Sequence, residues 1–407
     1  MNADWPRLKI EDIAVKVGMG PFGSSIKVST FVPEGIPVIS GQHLHKTRLE
    51  DTEYNFITPE HAEELRNANV FRGDVIFTHA GSIGQAAYIP DDSRYERYVL
   101  SQRQFFMRCD KQKVWPEFIA YYFSSTEGQH NLLANTSSTG VPSIARPVTY
   151  LRSIKIPVPP LPVQRAIAHI LGTLEDKIEL NRRMNETLEA IARSIFKAWF
   201  VDSTADGLPD GWKLSTIGES AQVVGGGTPS TKELAYWEGG TVNWVTPKDL
   251  AALSNPVLLD TDRRITELGA KQISSGVLPK GTVLLSSRAP IGYLVISEIP
   301  VAINQGFIAM ICDGELPNHY IMQWTQANMD IIEGRANGTT FLEISKSSFR
   351  PIPIIVPPSD ILKRFTEQAE AIHQKIVSNL KESHTLATMR DALLPKLLSG
   401  EIRVSEL

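Results

Sequence analysis

Cysteine is nearly absent: the 407 residues hold two, Cys109 and Cys312. That excludes a disulfide scaffold and a cysteine-based zinc site. No charge sign is in large excess, since 41 basic against 45 acidic side chains leave −4. A chain so balanced does not attract phosphate as a whole. Residues 1–160 carry 17 basic and 17 acidic groups, and residues 206–358 carry 11 and 15, so no segment is basic. Any phosphate must be neutralised by local patches or by a partner. Apolar runs such as Val283-Leu284-Leu285 fall far short of the ~18 residues a membrane span needs. Met1 to Arg7 shows no basic stretch leading into an apolar one, so no secretory leader is expected. These absences together predict a soluble cytoplasmic protein with no membrane partner.

Catalytic signatures are missing as well. Gly225-Gly226-Gly227-Thr228-Pro229-Ser230-Thr231-Lys232 ends in lysine but lacks the Gly-Lys-Ser/Thr order of a phosphate loop. His43-x-His45 has no further ligand cluster and faces Asp249 and Ala251 at the corresponding positions of the repeat described below, so no metal site is expected. Asn255-Pro256-Val257-Leu258 starts like an amino-methyltransferase motif, then fails at the second proline and the aromatic.

What the chain does have is a duplication. Arg72-Gly73-Asp74-Val75-Ile76 returns as Lys280-Gly281-Thr282-Val283-Leu284, and Ser82-Ile83-Gly84 as Pro290-Ile291-Gly292. Gln102, Met107, Cys109 and Asp110 return without a gap as Gln305, Met310, Cys312 and Asp313. Ile154-Lys155-Ile156-Pro157-Val158-Pro159-Pro160 returns as Ile352-Pro353-Ile354-Ile355-Val356-Pro357-Pro358. Each copy is about 200 residues, a pair of large repeats and not a solenoid. The implied order is a mixed domain over 1–160, a helix over 161–205, a second mixed domain over 206–358 and a second helix over 359–407.

Both helices begin after Pro-Pro, which ends the preceding strand. Leu171, Leu174, Ile178, Asn181, Asn185, Leu188, Ala192, Ile195 and Trp199 fit heptad a and d positions. Ala369, Ile372, Ile376, Asn379, Ser383, Leu386, Arg390, Leu393 and Leu397 fit them in the second helix. This pattern predicts an antiparallel coiled coil between the two helices, with Asn181 and Asn379 fixing its register. The competing reading is two amphipathic helices, each lying on its own domain. β-like runs at 75–78, 85–89, 98–109 and 154–158, with counterparts at 283–286, 293–296, 302–312 and 352–356, alternate with helix-like runs. The fold class expected is α+β: two similar domains, each a twisted, mainly antiparallel sheet plus helices, separated by two long helices. Cys109 and Cys312 fall at equivalent strand ends and read as small core residues. Two unlike readers held apart by a rod suit a two-part DNA target.

The run Ile156-Pro157-Val158-Pro159-Pro160-Leu161-Pro162-Val163-Gln164-Arg165, its continuation through Asn181 and Asn185, and Ala198-Trp199-Phe200-Val201-Asp202 resemble the central conserved region of the specificity (S) subunit of type I restriction–modification enzymes. Leu393-Leu394-Pro395-Lys396-Leu397-Leu398-Ser399-Gly400-Glu401 resembles the distal conserved region. The second copy departs at Ser359-Asp360-Ile361-Leu362, where a Leu-x-x-Gln is expected, which leaves the contacts at that helix start open. The resemblance implies a non-catalytic subunit of an adenine methyltransferase and endonuclease complex. It would hold two methyltransferase (M) subunits, which use S-adenosylmethionine, and recruit restriction/translocase (R) subunits, which use ATP and Mg, while binding no cofactor itself. The DNA target would be double-stranded and bipartite, with a spacer set by the coiled coil.

Within the two target-recognition domains, polar residues on equivalent loops are the candidates for DNA contact. In the first they are Ser24, Lys27, Ser82, Gln85, Gln102, Arg103, Ser138 and Thr139. In the second they are Thr228, Ser230, Lys232, Ser287, Arg288, Asn304, Gln305, Asn337 and Thr339. Gln and Asn suit adenine edges, and Arg and Lys suit guanine or phosphate. Matching pairs such as Gln102 and Gln305 suit fold support or phosphate. Differing pairs such as Arg103 and Gly306 suit sequence choice.

Overall fold

The computed structural model describes residues 5–23, 25–137, 140–338 and 342–404. It divides into two compact units, Met1–Ile178 with His384–Leu407, and Glu179–Ser383. Each unit therefore takes one domain together with part of each long helix.

In the first unit a four-stranded antiparallel sheet runs Ala14–Met19, Gln104–Cys109, Asp74–Thr78, Ala86–Tyr88 in spatial order. Strand side chains alternate between faces, and the sequence uses both. Val75, Phe77, Phe105 and Met107 enter one core, with Phe118, Phe123 and Leu171 from the helices. Ile76 and Phe106 enter another, with Ile39, Tyr98 and Leu100. The latter three belong to a second sheet, ordered Asn55–Ile57, Ile36–Ile39, Arg97–Leu100, Asn69–Phe71. Within it, Ile36–Ile39 and Arg97–Leu100 run parallel.

The second unit repeats this plan. Gln222–Gly225, Phe307–Ile311, Val283–Ser287 and Ile291–Ser297 follow the same order, extended by Val257–Leu258. The smaller sheet is Arg263–Ile265, Val242–Val245, Ala302–Ile303. So each domain is built on two principal sheets, and the expected single strands over 98–109 and 302–312 are each two strands in different sheets. The breaks fall at 101–103 and 304–306.

The long helices span Leu161–Phe196 and Ser359–Leu398. A wider five-residue turn, Lys197–Val201, follows the first. The helices pair antiparallel inside each unit. In the first, Ile167, Ala168 and Leu171 pack with Leu397 and Leu398, and Arg390 lies 3.6 Å from Glu175. In the second, Leu188 packs with Ile372 and Ile376, and Phe196 and Phe200 meet Phe365 at ring-centroid distances of 5.9 and 5.0 Å. Asn181, Asn185 and Asn379 are all buried. The Asn379 amide donates to Asn185 Oδ1 at 2.8 Å. The Asn181 amide donates to Glu382 at 2.9 Å, to Ser383 Oγ at 3.3 Å and to the Asn379 carbonyl at 3.4 Å. Asn185, which the periodicity placed in the seam without a partner, is the side chain that Asn379 meets.

Other motifs find structural explanations. Asn255 donates to Glu189 Oε1 at 2.7 Å, clasping its domain to the helix; burial raises the Glu189 carboxyl pKa. Gln164 is fully buried, accepts from the Trp115 N–H at 2.8 Å and donates to the Pro159 carbonyl at 2.7 Å. At the corresponding position Leu362 joins the apolar core instead, so the departure from the motif exchanges a polar bracket for packing. His43 accepts the Ser40 N–H on Nδ1 at 2.9 Å and turns Nε2 to the Glu53 carbonyl at 3.2 Å. Its ring is spoken for by the fold. Cys109 is buried and Cys312 half-buried, and burial pushes the Cys312 thiol to about 12.

Candidate nucleic-acid interface

In the first domain, three chain segments meet around the break after Leu100. The His79 N–H donates to the Arg103 carbonyl at 2.9 Å, and the Ile144 N–H donates to the His79 carbonyl at 2.9 Å. The Gly81 N–H reaches the Pro142 carbonyl at 3.1 Å. The turn over 101–103, the loop over 79–85 and the hairpin Thr136–Ser137/Ser143–Ile144 are thereby locked together. A fourth segment reaches the same break at Gly20, where an added Cβ would lie 1.8 Å from the Ser101 carbonyl oxygen. Only glycine allows that approach.

On this frame Ser82, Gln102 and Arg103 are exposed. Gln85 is not free to read: its amide donates to the Gly41 carbonyl at 3.0 Å and its oxygen accepts from Thr78 at 2.8 Å. Lys27 is exposed on another loop, anchored elsewhere by the Ser25 carbonyl against His61 Nε2 at 2.9 Å. Ser24, Ser138 and Thr139 lie outside the described residues. His79, which no sequence signal singled out, has its ring 3.1 Å from the Gln102 carbonyl. Burial lowers its pKa, with that hydrogen bond opposing.

The second domain brings equivalent segments together. The Ser287 N–H donates to the Gly306 carbonyl at 2.8 Å and the Ile344 N–H to the Ser287 carbonyl at 3.0 Å. Asn337 and Glu343 exchange backbone hydrogen bonds at 3.0 and 2.9 Å. Thr228 donates to Gln305 Oε1, tying the glycine-rich loop to the break. Asn304 Oδ1 accepts the Gly306 N–H at 2.8 Å, a turn-forming role. Ser287 is 3% exposed and serves the frame. Thr228, Gln305 and Asn337 are exposed, as are Ser230 and Lys232 further along the glycine-rich loop. Arg288 is half-exposed and lies 3.6 Å from Glu343. Thr339 lies outside the described residues.

Ile144 and Ile344 make the same hydrogen bond, which aligns two exposed basic residues that sequence reasoning passed over, Arg146 and Lys346. Their common spacing from those isoleucines is the signal that could have found them.

The same loop cluster thus occurs twice on a mixed scaffold, each copy bearing different polar groups. The sequence model of the type I restriction modification DNA specificity domain matches residues 2–190 and again 209–384. The chain belongs to that family. It is 25% identical to the type I restriction enzyme HindI specificity subunit of Haemophilus influenzae, over 81% of this chain and 87% of that one. It is 26% identical to the type I restriction enzyme MjaIX specificity subunit of Methanocaldococcus jannaschii, over 99% and 95%. A crystal structure of a type I restriction-modification S subunit from M. genitalium shares the fold, with a TM-score of 0.59 at 17% identity, over 97% of this chain and 96% of that one. Among the described residues no helix is long and apolar enough to cross a membrane, and no cluster of three or more His, Cys, Asp or Glu could hold a metal ion.

Proposed function

We propose that the chain is the non-catalytic specificity subunit of a cytoplasmic type I restriction–modification complex. Each domain reads one half of a bipartite duplex target, and the paired helices set the spacer between the halves. The helices also dock two methyltransferase subunits that modify adenine, and the complex recruits restriction/translocase subunits. S-adenosylmethionine and ATP with Mg are bound by those partners. The observation that carries this reading is the repeat itself: the same loop frame twice, with unlike side chains at its tips, in a chain of the DNA specificity family.

Ser82, Gln102 and Arg103 in the first domain, and Thr228, Gln305, Arg288 and Asn337 in the second, are the proposed DNA-facing groups of the frame. Lys27, Ser230 and Lys232 add outlying contacts. Arg146 and Lys346, alike in both domains, suit phosphate, which carries no sequence information.

The helical spacer is tested by insertion. One heptad added to each long helix at matching register lengthens the pair by roughly 10 Å at 1.5 Å per residue. That is about three base pairs at 3.4 Å each. Mapping of methylated sites should find both half-sequences intact and the spacer longer. Altered half-sequences with the old spacer would contradict the reading.

A further inference from the structure

The two loop frames place an arginine differently. In the first domain Ala80 bridges Ser143, and in the second Arg288 bridges Glu343 at the corresponding place. In the second domain Gly306 occupies the turn position that Arg103 holds in the first. Yet both arginines adjoin one and the same loop position, Arg103 by its head and Arg288 by its place in the chain. A Cβ built on Gly81 would sit 3.2 Å from an Arg103 terminal nitrogen, so the Arg103 head lies over the residue that follows Ala80. The counterpart of Gly81 is Ala289, the residue that follows Arg288.

Arg288, unlike Arg103, has a carboxylate close by. Its neighbour Ala289 takes φ 53°, where Gly81 takes φ 84°. A residue with a Cβ occupies that region only under strain. The carboxylate of Glu343 lies 3.6 Å from Arg288, and the Glu343 backbone is held by its exchange with Asn337. A guanidinium with its direction fixed loses less freedom when it forms a two-point contact. Among the described residues Arg103 has no ion-pair or side-chain hydrogen-bond partner.

We propose that one arginine per domain, Arg103 in the first and Arg288 in the second, reads a guanine in the major groove from corresponding spots reached by different loops, and that Glu343 is the positioning residue for Arg288. This rests on the chain being a specificity subunit. The chemistry is the pairing of a planar fork with guanine O6 and N7.

The test uses the complex assembled with its methyltransferase partners and maps methylated sites over genomic DNA. R288A should relax one base pair of one half-target by roughly 5- to 150-fold and leave the other half unchanged. R288K should relax the same base pair, because lysine keeps the charge and loses the fork. E343Q should relax it too, with the R288A/E343Q pair no worse than R288A alone. R103A should relax one base pair in the other half. Unchanged half-targets in R288A, or an E343Q effect at a different base pair, would overturn the inference. Absence of any bipartite methylation with the unaltered chain would instead remove the reading on which it rests.

Discussion

Glycine at the meeting of loop and strand break is the residue on which each loop frame turns. At Gly226 an added Cβ would lie 2.0 Å from the Ile303 carbonyl oxygen and 2.4 Å from that of Asn304. Both are backbone atoms that cannot swing aside. At Gly227 the nearest atoms are Ile273 carbons at 3.9 Å, an ordinary contact. Gly226→Ala should therefore cost about 1–3 kcal/mol, while Gly227→Ala should be close to neutral. Thermal denaturation of the two variants separates them, and equal melting points would refute the close-approach argument. The single-residue scale is also where the sequence said least. Gln85 and Ser287 read as loop-tip polars on composition, but one is tied to Gly41 and Thr78 and the other is buried at the end of a strand. Nothing in their spelling distinguishes a side chain that holds a loop from one that reads a base.

The paired helices were legible because a 3–4 spacing over some forty residues has few other physical meanings. The heptad residues Leu171, Asn181, Asn185, Ala192, Ile376, Asn379 and Leu397 are all buried. The detail of the asparagine contacts was not legible, since register fixes which turns meet but not which amide reaches which oxygen. Asn379→Ala removes the donor to Asn185 Oδ1 inside the seam. Leaving a buried acceptor unmatched should cost about 1–3 kcal/mol. Chemical denaturation that shows no loss would mean the amide contributes no stability there. The strands were half legible. Short apolar runs located 75–78 and 283–286, but the runs over 98–109 and 302–312 looked continuous. Apolar residues flank the breaks on both sides, and the strands on either side enter different sheets.

At the scale of the molecule the charge balance matters most. A net charge of −4 gives no general attraction for DNA, and among the described residues the loop frames carry Arg103 and Arg146 in one domain and Arg288 and Lys346 in the other. Most phosphate neutralisation then falls to partners. The purified chain should bind its duplex target weakly at physiological salt and gain affinity steeply when the methyltransferase is added. Fluorescence anisotropy over a salt series measures both, and tight, salt-resistant binding by the chain alone would speak against this division of labour.

The first unit is not made from the first half of the chain alone. Leu393, Leu394, Leu397, Leu398, Ile402 and Val404 pack into the same core as Phe77 and Phe105. During synthesis that core stays open until residues some two hundred positions downstream of its own domain have left the ribosome, about ten to forty seconds at ordinary elongation rates. The earliest-made domain is thus among the last to be sealed.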